Sequence, residues 1–179
     1  MVKSAPDGYM LIMLMMVVFV LSIGLLVAVP VWQTQIQREK EEELIFRGRQ
    51  YVEAVRVFTR KNPGRFPASF KELEENGFLR RAYPDPMTES GAWDIILQSE
   101  SLSASVPEGE TGQTILIAPE SALDSISNPR ILGVVSTSTK KAFRVLNEKE
   151  TYDAWLFYYG HDPENPPRII RHGETKDRP

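Results

Sequence analysis

The 179-residue chain contains no cysteine, and this absence excludes several kinds of site. A disulfide framework, a zinc–thiolate site and a cysteine nucleophile all need the missing thiol. Histidine is scarce as well, and His161 and His172 lie 11 positions apart, whereas a helical metal pair needs a spacing of three or four. We therefore interpret both histidines as solvated residues of a proline-rich tail.

The chain also lacks a strong excess of charge of one sign. The formal net charge is −3, and acidic and basic residues are interspersed. A protein that binds nucleic acid usually presents a basic face, so no nucleic-acid partner is expected. The pair Arg80-Arg81 is too short to form such a face, and a solvated turn is the favoured interpretation.

The most informative segment is an uncharged apolar run over residues 10–29. About 20 apolar residues, rising 1.5 Å each, cross a bilayer as a helix. A cleaved secretory signal has a shorter apolar run of roughly 7–15 residues, followed by a small-residue cleavage site that is missing here. The sequence predicts a retained single-pass membrane helix, with the short amino-terminal segment in the cytoplasm and the larger domain on the other side.

The helical pattern continues beyond the apolar run. Apolar residues recur at spacings of three and four over 44–58, which predicts one buried stripe on an amphipathic helix. The stripe comprises Leu44, Gly48, Tyr51, Val52, Val55 and Phe58. Pro30 removes one backbone hydrogen bond and is expected to kink this helix without ending it. We predict one helix over 9–61, followed by a globular head over 62–179.

The head is predicted to be of the α+β class. Ser69 and Glu72 have the spacing of a capping box, and Asn76-Gly77 is typical of a helix end. After residue 91 the period changes to that of short strands rich in β-branched and aromatic residues. The predicted strands cover 92–98, 114–118, 131–138, 142–146 and 154–159, with an edge strand at 168–171. We expect an antiparallel sheet packed on the long helix, a surface loop over 99–113 and a hairpin turn over 136–141.

Several of these features together resemble the type IV pilin-like proteins, and in particular the pseudopilins of type II secretion. Gly8-Tyr9 lies just before the apolar run, and Pro30 lies where such proteins often bend the helix. The segments 65–73 and 77–79, and the pair Asp85-Pro86, look like the stretch that follows the long helix in the major pseudopilin. The resemblance covers about residues 8–87.

This resemblance implies a processing step and a location. Residues 1–8 would be a leader that a prepilin peptidase removes after Gly8, and the same enzyme would methylate Tyr9. The apolar helix would then anchor the chain in the bacterial inner membrane, with the head in the periplasm. The implied partners are the prepilin peptidase and other pseudopilins, and the implied role is structural, not enzymatic.

One position departs from the family pattern. Family members usually carry a glutamate five residues after the junction, and here that position is Met13. A carboxylate inside the bilayer costs a few kcal/mol unless it is paired, and in the family it is thought to pair with a neighbouring amino terminus. Met13 therefore favours a minor or tip subunit, or a pilin-like protein that does not enter a filament.

There are three other interpretations: a calcium site, a catalytic serine–lysine pair and a membrane-anchored domain of another class. The major pseudopilin binds calcium in a carboxy-terminal loop, and the candidate carboxylates here are Asp153, Asp162, Glu164 and Asp177. Their spacing matches no rigid calcium loop, so we predict surface charges and no cofactor. Ser136 and Ser138 near Lys140 are read as a turn and not as a catalytic pair. The rival function is an unprocessed, membrane-anchored periplasmic binding or sensor domain.

Overall fold

The first helix, α1, runs from Asp7 to Lys61 in the computed structural model, which describes residues 7–99, 113–162 and 165–173. It begins two residues before the predicted start at Tyr9 and ends at the predicted residue. The helix assignment is unbroken through Pro30, so the prediction of one helix is confirmed. The chain divides into two compact units between Glu39 and Lys40, and α1 contributes to both.

Within the first unit, the segment of α1 from Tyr9 to Leu26 is predominantly apolar and exposed. The segment Tyr9–Leu26 has a mean hydropathy of 2.7, and none of it is buried. The helix is therefore long and apolar enough to cross a membrane, as the sequence predicts. A soluble core helix would instead bury such residues against the rest of the protein.

In the second unit, α1 buries the predicted stripe. Leu44, Tyr51, Val55 and Phe58 are all buried, and Val52 is partly buried against the same core. The three- and four-residue spacing places these side chains on one face of the helix, and the sheet covers that face. The intervening pair Glu53 and Arg56 lies on the exposed face.

A short second helix, α2, spans Phe70–Glu75 and is capped as predicted. Ser69 Oγ accepts a hydrogen bond from the backbone N–H of Glu72 at 3.1 Å. The Glu72 carboxylate accepts in return from Ala68 N–H at 2.8 Å, one residue earlier than an ideal capping box places it. Gly77, with φ of 71°, follows the end of the helix.

Among the residues that the structure describes, seven strands follow in two sheets. They are β1 (Trp93–Gln98), β2 (Thr114–Pro119), β3 (Ile131–Ser136), β4 (Lys141–Leu146), β5 (Lys149–Thr151), β6 (Phe157–Tyr158) and β7 (Arg168–Arg171). Five of them form a sheet in the order β6-β3-β1-β2-β7, while β4 and β5 form a separate two-stranded sheet. The apolar residues of the larger sheet alternate between two clusters. Ile95 and Leu97 pack with α1, whereas Ile96 joins the cluster on the opposite face.

The structure corrects the prediction that the sheet is antiparallel. Strand β7 pairs with β2 in parallel, so the sheet is mixed. Strand β6 lies at one edge of the sheet and β7 at the other, so the chain crosses the sheet and reverses direction between them. Strand periodicity identifies a strand but not the edge that it joins.

Two further predictions about the carboxy-terminal part are wrong. The hairpin turn lies at Asn147-Glu148, not over 136–141, and both turn residues have positive φ values of 49° and 62°. Such values are typical of the two-residue turns that join the strands of a β-hairpin. The predicted strand over 154–159 is a 3-10 helix at Tyr152–Ala154 followed by the two-residue strand β6. The predicted surface loop over 99–113 lies mostly outside the described residues.

Helix α1 approaches the sheet closely at Gly48. A Cβ atom at this position would overlap the ring of Phe157 on β6. A Cβ at Gly133 on β3 would overlap the β6 backbone at Phe157 and Tyr158. The two glycines therefore allow the short edge strand to lie against both the helix and its partner strand.

We expect Val55→Asp to destabilise the full-length protein by roughly 3–5 kcal/mol, because it places an unpaired charge in a fully buried position. Thermal unfolding in detergent micelles, followed by circular dichroism, measures the loss. Val145→Asp is the matched control, since Val145 is 63% exposed. Equal melting temperatures for the two variants would contradict the packing of α1 described here.

Candidate functional site

The residues to which the resemblance assigns a role in processing lie at the start of α1. Gly8 is the second residue of the helix, and Tyr9 and Met13 follow at a spacing of one helical turn. Tyr9 is 70% exposed and Met13 is 57% exposed, so neither residue is buried against the rest of the protein. Residues four positions apart share one face of a helix, and Tyr9 and Met13 therefore present a continuous surface. Pro30 lies within α1, and its predicted kink stays a prediction.

The apolar surface extends along the helix and contains few polar groups. Every residue from Tyr9 to Leu26 is exposed. The Ser22 hydroxyl donates to the carbonyl oxygen of Val18 at 2.8 Å, so this polar group is satisfied within the helix. A surface of this kind suits a lipid environment or neighbouring helices, because it asks for no hydrogen bonds from outside.

In the head, the Pro84-Asp85-Pro86 turn is held by a buried carboxylate. Asp85 is 2% exposed. Its Oδ2 accepts from the Ser136 hydroxyl at 2.6 Å, and its Oδ1 accepts from Met87 N–H at 2.8 Å. Burial raises the pKa of Asp85, and these hydrogen bonds, together with one from Thr137 N–H, oppose the rise. The carboxylate thus fastens the loop before β1 to the end of β3.

The same loop is attached to α1 through a buried tyrosine. The Tyr51 hydroxyl donates to the carbonyl oxygen of Tyr83 at 2.9 Å and accepts from Tyr83 N–H at 2.9 Å. Trp93 Nε1 donates to the same carbonyl at 2.7 Å. Burial is the main cause that raises the pKa of Tyr51 to about 12. Arg47 adds a hydrogen bond to the carbonyl oxygen of Pro84.

A second buried carboxylate, Glu41, escaped the sequence analysis. It is 0% exposed, and its Oε1 accepts from the Tyr152 hydroxyl at 2.6 Å and from Phe143 N–H at 2.7 Å. Its Oε2 is buried without a hydrogen-bond partner. A signal for it does exist, because Glu41 precedes Leu44 by three residues and Gly48 by seven, in register with the buried stripe. The surrounding run of charged residues obscures that register.

The carboxy-terminal candidates are engaged in contacts within the head. Asp153 pairs with Arg171 at 3.2 Å. His161, predicted to be a solvated tail residue, is instead half-buried, with its ring nitrogens 3.1 Å from Asn147 Nδ2 and from Tyr158 Oη. Of the other calcium candidates, Asp162 is exposed, whereas Glu164 and Asp177 lie outside the described residues.

Neither the suggested catalytic pair nor a metal centre gains support from the geometry. Ser136 is buried, donates to Asp85 and accepts from Ser138 N–H at 3.1 Å, so its hydroxyl is committed to the loop. Within the described ranges, no group of three or more His, Asp or Glu side chains is placed to hold a metal ion. The guanidinium carbon Cζ of Arg81 lies 5.3 Å from the centroid of the Tyr83 ring. Arg81 therefore packs on another residue of the same loop.

Comparisons of the chain with family models, with curated proteins and with solved structures find no match.

We expect the stability of the head to depend on pH through Asp85. Because burial raises its pKa above the ordinary value of 3.8, the folded state binds the proton more tightly than the unfolded state. The stabilisation from Asp85 is therefore fully present below that value and is lost as the pH rises through the raised pKa. Asp85→Asn abolishes this pH dependence and, at low pH, costs about 1–3 kcal/mol in hydrogen bonds.

Urea unfolding of the full-length wild type and of Asp85→Asn measures the difference in their free energies of unfolding. The measurements run from about pH 3 to about pH 8, a range that covers ordinary and raised pKa values of a carboxyl group. The advantage of the wild type should shrink with rising pH. Asp124→Asn, at an exposed position, is the control and should leave the pH profile unchanged. An advantage that grows with pH would mean that the hydrogen bonds to Asp85 outweigh its burial.

Proposed function

We propose that this chain is a pilin-like pseudopilin subunit of a type II secretion or type IV pilus machine. It is a structural component, anchored in the bacterial inner membrane with its head in the periplasm. The prepilin peptidase cleaves after Gly8 and methylates Tyr9. The helix then packs among the helices of other pseudopilins, and the protein contributes to secretion by assembly and not by catalysis.

The observation that carries the proposal is the difference in burial between the two parts of α1. Its first part is apolar on all sides and uncovered over Tyr9–Leu26, while its second part buries one stripe in an α+β head. A simple membrane anchor needs no continuation of its helix into the core of the domain. A subunit that transmits force or position from membrane to head benefits from a continuous helix, because its backbone hydrogen bonds are uninterrupted.

The identity of residue 13 supports a minor or tip position. Met13 is apolar and exposed on the same face as Tyr9, so the chain carries no carboxylate there to meet a neighbouring amino terminus. A subunit at the tip has no subunit ahead of it and needs no such carboxylate. The amino terminus at Tyr9 still has access to a glutamate on the subunit that follows.

The processing step gives the decisive test. We expect Gly8→Leu to leave the full-length precursor in cells that contain a prepilin peptidase, because a bulky side chain blocks a peptidase that reads this junction. Intact-mass measurement of the purified protein then shows residues 1–8 attached, whereas the wild type begins at methylated Tyr9. Leucine favours helix, so the substitution leaves α1 intact.

Gly24→Leu is the matched control, since a Cβ at Gly24 meets no atom within 4 Å and the residue lies on the same helix. This control variant should be processed like the wild type. A wild-type protein that keeps residues 1–8 would contradict the proposal. It would point instead to the unprocessed, membrane-anchored binding or sensor domain.

The tip assignment has its own test. We expect Met13→Glu to reduce assembly several-fold, because an unpaired carboxylate in lipid costs a few kcal/mol. Cross-linking from Tyr9 to neighbouring pseudopilins in native membranes measures assembly. Met13→Gln, which is polar but uncharged, is the control. More cross-linking for Met13→Glu than for the wild type would identify an ordinary filament subunit.

A further inference from the structure

The two-stranded sheet β4–β5, here called the hairpin (residues 141–151), is attached to the head in an unusual way. It forms no ladder with the five-stranded sheet. Within it, β4 and β5 pair only at Lys141–Thr151 and Leu146–Lys149, with an irregularity between them. The ladder is interrupted between these two pairs, and there the backbone N–H of Phe143 donates to Glu41 on α1.

We infer that Glu41 holds the hairpin closed, and that β4 with its turn opens as a unit while the five-stranded sheet stays folded. The Glu41 carboxylate takes the place of a strand partner in the middle of β4. Through the Tyr152 hydroxyl it also joins β4 to the residue that follows β5. These two hydrogen bonds to Glu41 Oε1 are called the Glu41 contact.

The energy balance of the Glu41 contact makes opening accessible. Its two bonds are short, at 2.6 and 2.7 Å, as is typical of strong hydrogen bonds to a carboxylate. The closed state also keeps Glu41 Oε2 buried without a partner, which carries a desolvation penalty. Opening exposes Oε2 to water and recovers that penalty, so it offsets part of the loss of the bond from Phe143 N–H.

The outer face of β4 is weakly attached, whereas the hairpin base is held strongly. The inner face of β4 packs Ala142 and Leu146, both partly buried, against the core. Arg144 pairs with Glu42 at 2.9 Å, but both side chains are more than half exposed, and such a pair contributes little. Phe143 is 52% exposed and Val145 63%, so the outer face of β4 adds little apolar burial.

The base of the hairpin is fixed by two fully buried aromatic residues. Tyr152 and Trp155 pack edge to face with their ring centroids 5.3 Å apart. Trp155 Nε1 donates to the carbonyl oxygen of Lys149 at 3.0 Å. Opening therefore moves β4 and the Asn147-Glu148 turn about a base that stays in the core. This motion depends on contacts within the head and not on whether the chain is processed.

Hydrogen–deuterium exchange of the full-length protein in detergent micelles, read by mass spectrometry, tests the inference. Glu41→Gln keeps the shape of the side chain but weakens both bonds and places an amide donor where Oε2 has no partner. We expect amides in residues 141–149 to exchange at least about tenfold faster. Amides of β1 and β3 should exchange at the wild-type rate.

Glu42→Gln is the matched control, because it changes the neighbouring glutamate and removes only the exposed pair with Arg144. It should change exchange in the hairpin by less than about threefold. Tyr152→Phe removes one of the two bonds to Glu41 and should accelerate hairpin exchange in the same direction. Trypsin cleavage after Arg144 should become faster in parallel with exchange.

Two results would overturn the inference. Unchanged exchange over 141–149 in both Glu41→Gln and Tyr152→Phe would mean that the Glu41 contact does not hold the hairpin. Equal acceleration across the hairpin, β1 and β3, or global unfolding of Glu41→Gln, would mean that the hairpin does not open separately from the rest of the head.

Discussion

The head is organised around the close contact between α1 and the sheet at Gly48. The Phe157 ring occupies the space that any side chain larger than hydrogen would fill, and Gly133 lets the β6 backbone lie against β3. With α1 this near to the sheet, Leu44, Tyr51, Val55 and Phe58 are buried in the core that α1 shares with the sheet. Loosening this contact would expose the stripe along its whole length, because tightly packed cores tolerate little extra volume.

Buried polar groups then fix the segments that the apolar core does not. Asp85 and Tyr51 together hold the loop before β1 against β3 and α1, through hydrogen bonds between 2.6 and 2.9 Å. Glu41 performs a related task for β4, but it leaves one oxygen unsatisfied. Both oxygens of Asp85 accept hydrogen bonds, whereas only one oxygen of Glu41 does. We therefore expect the loop at Asp85 to stay closed more firmly than β4. A buried carboxylate loses its hydration, so its hydrogen bonds must offset that cost, and both groups also fix the position of the segment that they bind.

The uncovered first part of α1 has the opposite physical character. Over residues 10–26 it presents apolar side chains together with Ser22, whose hydroxyl is satisfied within the helix. Such a surface is stable in lipid or among other helices, and it would aggregate in water. A chain built in this way suits a subunit whose final packing partners are other copies of the same kind of helix. The proposal of a pseudopilin role rests on this surface, on the pair Gly8-Tyr9 before it and on the α+β head.

The sequence by itself determined the elements whose cause is local. The charge-free run sets the membrane helix, the three- and four-residue spacing sets the buried stripe, and Ser69 with Glu72 sets the start of α2. Short runs rich in β-branched and aromatic residues also located β1 and β2, and the predicted edge strand at Arg168–Arg171 coincides with β7. The positions of Gly8, Tyr9 and Met13, to which the proposed function assigns roles in processing and assembly, could be named from the sequence alone.

Tertiary structure decided what depends on residues far apart in the chain. The parallel pairing of β7 with β2 follows from a crossing of the whole sheet. The true hairpin turn at Asn147-Glu148 follows from the pairing of β4 with β5, which its residue types do not announce. Glu41 lies 102 positions from Phe143 and 111 from Tyr152, and within a run of charged residues it looks like surface. Only packing brings these groups together, because burial of a carboxylate depends on what covers it and not on its neighbours in sequence.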